Sequence, residues 1–258
     1  MITLLFDPVT DIVSELPLPK HRKDVDLNNI AQINATGAAA LNTPSGWSGL
    51  TTTSMAGGLR IGWVYSNLHN VADGLAPGRS QDGFEFASKD IPGIGTAQLT
   101  GHSPVPMFPA EGPTGELAKE FAPIEQNDYV SRNAAVPAIP VPTPFDPAVV
   151  LGSIQAQTHL WIGMSLLDPV FSAQLDRYFL SAISAYRLNQ PKVGKKEIQT
   201  VRELIKKEQP DLGRDEEHES DKSQEKNDDR KSALIDRLAA RVLDFDLEYV
   251  TKRMDGDD

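Results

Sequence analysis

Apolar and polar positions change rhythm several times along this chain. Ile2 to Phe6 is a short apolar run that predicts a strand. Val9, Ile12, Val13 and Leu16 then recur at helical spacing, until Pro17 and Pro19 stop the pattern. Leu59, Ile61, Trp63 and Tyr65 alternate with Arg60, Gly62 and Val64, which predicts a strand, and Phe84 and Phe86 flank Glu85 in a weaker one. Asp73-Gly74 and Asp82-Gly83 are turn signals. Thr114 to Phe121 has the pattern of a short helix. Val136 to Pro144 carries four prolines, so it is expected to run extended, as polyproline II or an edge-like arm.

The long apolar segments come next. Ala148 to Leu167 contains no formally charged residue and predicts a helix roughly 30 Å long. In a second helix Phe171, Leu175, Tyr178, Phe179, Ile183 and Tyr186 share one face, and Asp176, Arg177 and Arg187 take the other. Phe6-Asp7-Pro8, Phe145-Asp146-Pro147 and Leu167-Asp168-Pro169 repeat one start signal. Asp suits the N-cap, Pro suits the first helical position, and the preceding apolar residue suits a hydrophobic staple.

Beyond Pro191 the texture changes. Thr200 and Glu203 have capping-box spacing, with a thin apolar stripe at Val201, Leu204 and Ile205. Gln209 to Lys231 is almost wholly polar and is expected to form a solvated tether, because it offers little apolar surface to offset its ordering entropy. Ile235, Leu238, Val242, Phe245 and Tyr249 are then spaced 3, 4, 3, 4, a heptad seam of about two heptads. A helix of that size is marginal alone and needs a partner surface, so these five residues are the candidate protein interface.

Composition sharpens this division. The chain has 258 residues and net charge −11. Residues 1–191 carry 27 charges, whereas residues 192–258 carry 34 and a single proline. The fold class expected is α+β, mainly α in the C-terminal half, with an irregular Pro/Gly-rich N-terminal part bearing a few short strands. The organisation expected is 1–145 irregular with an extended arm, 146–191 an apolar helical pair, 192–231 a charged tether with one short helix, and 232–258 a docking helix.

Candidate chemistry is sparse. Zero cysteine excludes disulfides, thiol nucleophiles and thiolate metal sites. Net acidity argues against direct nucleic-acid binding. No secretory signal is read at the N-terminus, so a cytoplasmic location or one within an assembled particle is expected. The five histidines form no close pair; His218 sits among Glu216, Glu217, Glu219 and Asp221, a run read as solvated linker, so no metal is expected. His159, inside the uncharged helix, needs a hydrogen-bond partner and is read as structural. Gly93-Ile94-Gly95 lacks the third glycine of a dinucleotide loop, and no cofactor is expected. Lys20 to Lys23 is a small basic knot offset by Asp24 and Asp26, and Pro137 to Pro140 matches P-x-x-P in a segment where such matches are nearly free. The polar residues and glycines within 148–167 argue against a constitutive membrane span.

These features together suggest a non-enzymatic structural or assembly subunit of a large protein complex, with a viral or phage particle as the example. Its partners would be other protein subunits, self or heterologous. A membrane-active protein inserting a 147–189 hairpin is the alternative. An enzyme with a site scattered across the N-terminal part, not readable from local motifs, is a second.

Overall fold

The computed structural model describes residues 2–3, 38–53, 59–65, 81, 83–100, 116, 119–120, 129–210, 212 and 233–255. The chain divides into two units, 1–90 with 95–137 and 91–94 with 138–258. The fold is α+β, with the helices in the C-terminal half, as the patterning predicts. The expected helix at 8–16, the basic knot at 20–23 and the acidic run around His218 lie outside the described residues. Of the expected helix 114–121, Glu116, Lys119 and Glu120 are described and helical, with Lys119 Nζ 2.8 Å from Glu116 Oε1.

The strands are β1 (Ile2–Thr3), β2 (Ala38–Asn42), β3 (Trp47–Thr53), β4 (Leu59–Tyr65), β5 (Glu85–Ser88), β6 (Ile91–Thr100) and β7 (Tyr129–Ile139). β3 and β4 pair antiparallel from Trp47↔Tyr65 to Thr53↔Leu59. β4 is the strand that the alternation predicts. Its partner β3 hides in an Ala/Thr/Ser/Gly-rich run without alternation. Trp47 and Tyr65, directly opposed, meet edge to face with ring centroids 5.6 Å apart. Phe84 stands edge-on to both Trp47 and Trp63, at 5.0 and 5.7 Å, so β3, β4 and the approach to β5 share one aromatic cluster. Gly46 turns into β3 at φ +82°, and a Cβ there would fall 2.7 Å from the Tyr65 ring, so glycine is required twice over. β5 pairs antiparallel with β2, with a bulge between Ala40 and Asn42.

β6 is the centre of a three-stranded sheet ordered β1-β6-β7, with β1 parallel to it. The expected arm at 136–144 is thus partly a strand: residues 129–139 form β7. Its place at the sheet edge tolerates Pro137, which has no N–H to donate. Gly93 and Gly95, the G-x-G of the sequence, lie in β6. A Cβ on Gly95 would sit 2.7 Å from Val136, and one on Gly93 would sit 2.7 Å from the Ala138 Cβ. Close strand approach accounts for both glycines.

The second unit holds four helices among its described residues: α1 (Pro147–Gly163), α2 (Pro169–Arg187), α3 (Pro191–Glu208) and α4 (Arg237–Asp255). Asp146 Oδ1 accepts from the Ala148 and Val149 amides, and Asp168 Oδ1 from those of Val170 and Phe171. Both caps fall where the repeated Asp-Pro signal places them. α1 and α2 each end with a residue in the left-handed region, Ser165 at φ 59° and Asn189 at φ 55°. Beyond them the Leu166 and Gln190 amides reach back to the Trp161 and Ala185 carbonyls, closing Schellman turns.

α3 falls where one short helix is expected, and is longer than that. Pro191, read as a stop, stands in the first turn of an 18-residue helix. Gly194, Ile198, Val201 and Ile205 form its buried stripe, and Gly194 carries no side chain to reveal the first position. Thr200 is no cap: its hydroxyl donates to the Lys196 carbonyl within the helix.

α1 packs on α2 and α4, α2 on α3, and α3 on α4. Phe145, just before α1, meets Tyr249 near the end of α4 at a centroid distance of 6.2 Å. At the other end the Asp236 amide donates to the Leu166 carbonyl and the Asp168 amide to that of Leu234. α4 therefore runs antiparallel to α1, and the arrangement is an up-down-up-down bundle. An antiparallel bridge between Leu167 and Ile235 stitches the α1–α2 corner to the entry of α4, and Gln209 Nε2 adds a bond to the Ile235 carbonyl.

Candidate functional site

The five predicted interface residues sit on or beside α4. Ile235 and Val242 are fully buried, while Leu238, Phe245 and Tyr249 are half-buried. The face that α4 turns to the bundle is Ala239, Ala240, Val242, Leu243, Asp246, Leu247 and Val250. Its central line, 239-243-246-250, is the predicted seam moved on by one residue, a rotation of about 100°. The helix is thus docked on α1 and α3 of its own chain. Asp236, noted in the sequence as a charged flank, begins it: Asp236 Oδ1 accepts from the Leu238 amide at 2.8 Å.

The rotation has a chemical consequence. It brings Asp246 into the bundle interior at 0% exposure, and neither carboxylate oxygen has a hydrogen-bond partner among the described residues. Burial pushes its carboxyl well above the usual carboxylate range. Pattern reading passes over Asp246 because it favours Phe245. The signal lay in spacing, since Asp246 is three residues after Leu243 and four before Val250.

Beside it, α3 and α4 are joined by charge. Arg202 Nε donates to Asp244 Oδ1 at 2.6 Å and Nη2 to Asp244 Oδ2 at 3.0 Å, with a further bond to Glu248 Oε2 at 3.2 Å. Lys252 Nζ lies 2.6 Å from Glu248 Oε1 and, with Arg202, holds that carboxyl below its ordinary value. Lys195 pairs with Asp255 further along.

Between α1 and α2, Asp176 accepts from Gln155 Nε2 at 2.8 Å, and His159 Nε2 lies 2.8 and 2.9 Å from its two oxygens. His159 has the partner that the sequence demands, but it is half exposed rather than buried. Gln155 and His159 are one helical turn apart, so both reach the same carboxylate on the neighbouring helix. This is a satisfied interhelical tie.

Large hydrophobics are exposed at Val170 and Leu180 on α2 and at Val193 on α3, as well as on the outer side of α1. Val149 is 50% and Leu160 61% exposed, with Ser153 and Ala156 between them on the same face. Extra Cβ atoms on Gly152 and Gly163 would meet nothing within 4 Å. Three helices of the bundle carry charge on their exposed faces, at Arg177 and Arg187 on α2, Lys192, Lys196 and Lys206 on α3, and Arg237 and Lys252 on α4. α1 carries none.

Among the described residues no group of three or more His, Asp or Glu is placed to hold a metal ion, and no helix is long and apolar enough to cross a membrane. Comparison of the chain with models of known protein families, with curated proteins and with solved structures finds no match to any of them.

Proposed function

We propose that this chain is a non-enzymatic assembly subunit, which joins other protein subunits through the outer face of α1. The observation that carries this reading is the half-exposed Val149 and Leu160 on a helix with no formal charge, in a bundle whose other helices turn charge outward. An apolar helix face left to solvent is a cost that contact with another protein surface removes. The predicted α4 seam does not carry the reading, because its helix is docked in cis.

The test is the native mass of the chain at its natural abundance, after cross-linking in the source cells. The expected result is an assembly heavier than the chain, released by Val149→Glu with Leu160→Glu. A monomer mass in both forms refutes the reading.

A further inference from the structure

We propose that the occupant of the α1 face is a second copy of the same face, paired antiparallel across a two-fold axis; this rests on the assembly reading above. Two observations select a second copy. The first is charge. The chain carries net charge −11, so two copies repel over most approaches. Ala148 to Leu167 has no formal charge, and two carboxylates beside it are already met, Asp176 by Gln155 and His159 and Asp146 by the Ala148 and Val149 amides. A charged partner surface would be desolvated there without compensation. The same face of another copy would not.

The second observation is order. The face reads Val149, Ser153, Ala156, Leu160, that is large, small, small, large, with spacings 4, 3, 4 that are unchanged by reversal. A two-fold axis at the centre of the stripe sets Val149 of each chain against Leu160 of the other, and Ser153 against Ala156. That is the reciprocity an isologous contact requires. The small central pair lets the helix axes come close while the large residues close both ends. Gly152, open to solvent, removes a further obstacle.

One helix pair buries an area at the low end of specific interfaces, so a concentration-dependent dimer with a roughly micromolar dissociation constant is expected.

The chain has no cysteine, which makes the geometry directly readable. Positions 149 and 160 lie about 16 Å apart on one helix, too far for an internal disulfide. In the proposed pair, position 149 of each chain faces position 160 of the other, while like positions lie at opposite ends. The full-length double variant Val149→Cys/Leu160→Cys should therefore form a covalent dimer on mild oxidation, and each single variant should not. Sedimentation of the cysteine-free chain should show dimer growing with concentration. Leu160→Glu should weaken it at least tenfold with helical content unchanged.

Equal crosslinking by the single variants overturns the antiparallel register. A monomer at every concentration overturns self-pairing. If a monomeric chain still runs in a native assembly that Leu160→Glu dissolves, self-pairing falls and the assembly reading stands. If no assembly exists in either form, both fall.

Discussion

Asp246→Asn should change how the stability of the bundle depends on pH. The wild-type carboxyl is fully buried, has no hydrogen-bond partner among the described residues, and sits on the same helical face as Leu243 and Leu247. In the unfolded chain an aspartate titrates near 3.9. In the folded chain burial raises its pKa well above that. The folded state therefore holds a proton that the unfolded state has released, over the whole window between the two values. The sign follows from linkage. Stability from this group is fully present below the unfolded pKa and is lost as pH rises toward the folded one, at about 1.4 kcal/mol per pH unit for one proton. Asn has the same shape and does not titrate. The difference in unfolding free energy, variant minus wild type, should thus grow with pH through that window and then level off. Asp246→Leu, an apolar near-isostere, should show the same slope displaced upward by about 1–3 kcal/mol, because it leaves no buried polar group unpaired. The assay is urea unfolding followed by helical circular dichroism, from about pH 4 to about pH 8, with the wild type as reference at each point. Other titrating groups are common to all three proteins and cancel in the difference. A difference that does not vary with pH would show that the carboxyl is paired or hydrated, and would refute the reasoning.

Gly194→Ala should destabilise the bundle by about 1–3 kcal/mol, since the new Cβ would fall 2.6 Å from the Tyr186 ring. Burial first and Asp255 second push the Tyr186 phenol up to about 12, so if the ring is displaced toward solvent in that variant, phenolate absorbance should show its titration moving back toward 10. Ser165→Gly and Asn189→Gly should each stabilise by about 0.5–1 kcal/mol in thermal unfolding, because both residues occupy the left-handed region that glycine enters without steric cost. Arg202→Met keeps the apolar stem and removes the bonds to Asp244 and Glu248, with an expected loss of about 1–2 kcal/mol near neutral pH. The depressed Glu248 carboxyl gives stability above its unfolded pKa and loses it as pH falls, so the gap between wild type and this variant should narrow in acid.

How far the chain could be read from its sequence depended on what each signal was made of. Asp146-Pro147 and Asp168-Pro169 are local, since cap and first turn are decided within four residues, and both fall where expected. β4 announced itself by alternation, while β3 is held by its pairing to β4 and needs no alternation of its own. α3 and α4 each bury a residue that the patterning does not single out, for a shared reason: a helix face is set by its neighbours, and those neighbours tolerate residues that a hydropathy pattern skips. Gly194 opens the α3 stripe because the Tyr186 ring fills the space where a side chain would stand. Asp246 lies in the α4 stripe although Phe245 next to it is the stronger hydrophobe, and a shift of one residue turns the helix by about 100°. An apolar seam in sequence is therefore evidence that a helix docks, and weaker evidence for which side docks.

α1 inverts that difficulty. Its sequence carries no formal charge, although Ser153, Gln155, Gln157, Thr158 and His159 are polar. Within the bundle, Val150, Leu151, Ile154, Thr158 and Trp161 account for the inner side, and the Asp176 tie accounts for the flank toward α2. On the remaining side Val149, Ala156 and Leu160 are exposed and Ser153 is half-buried. In α4 the surplus apolar residues Leu238, Phe245 and Tyr249 are half-covered by the chain itself, with Phe145 against Tyr249 and Arg253 over the Phe145 ring. In α1 the outer pair Val149 and Leu160 remain at least half exposed. α1 thus joins exposed apolar residues to an absence of formal charge, whereas α2, with Val170 and Leu180 exposed, also turns Arg177 and Arg187 outward.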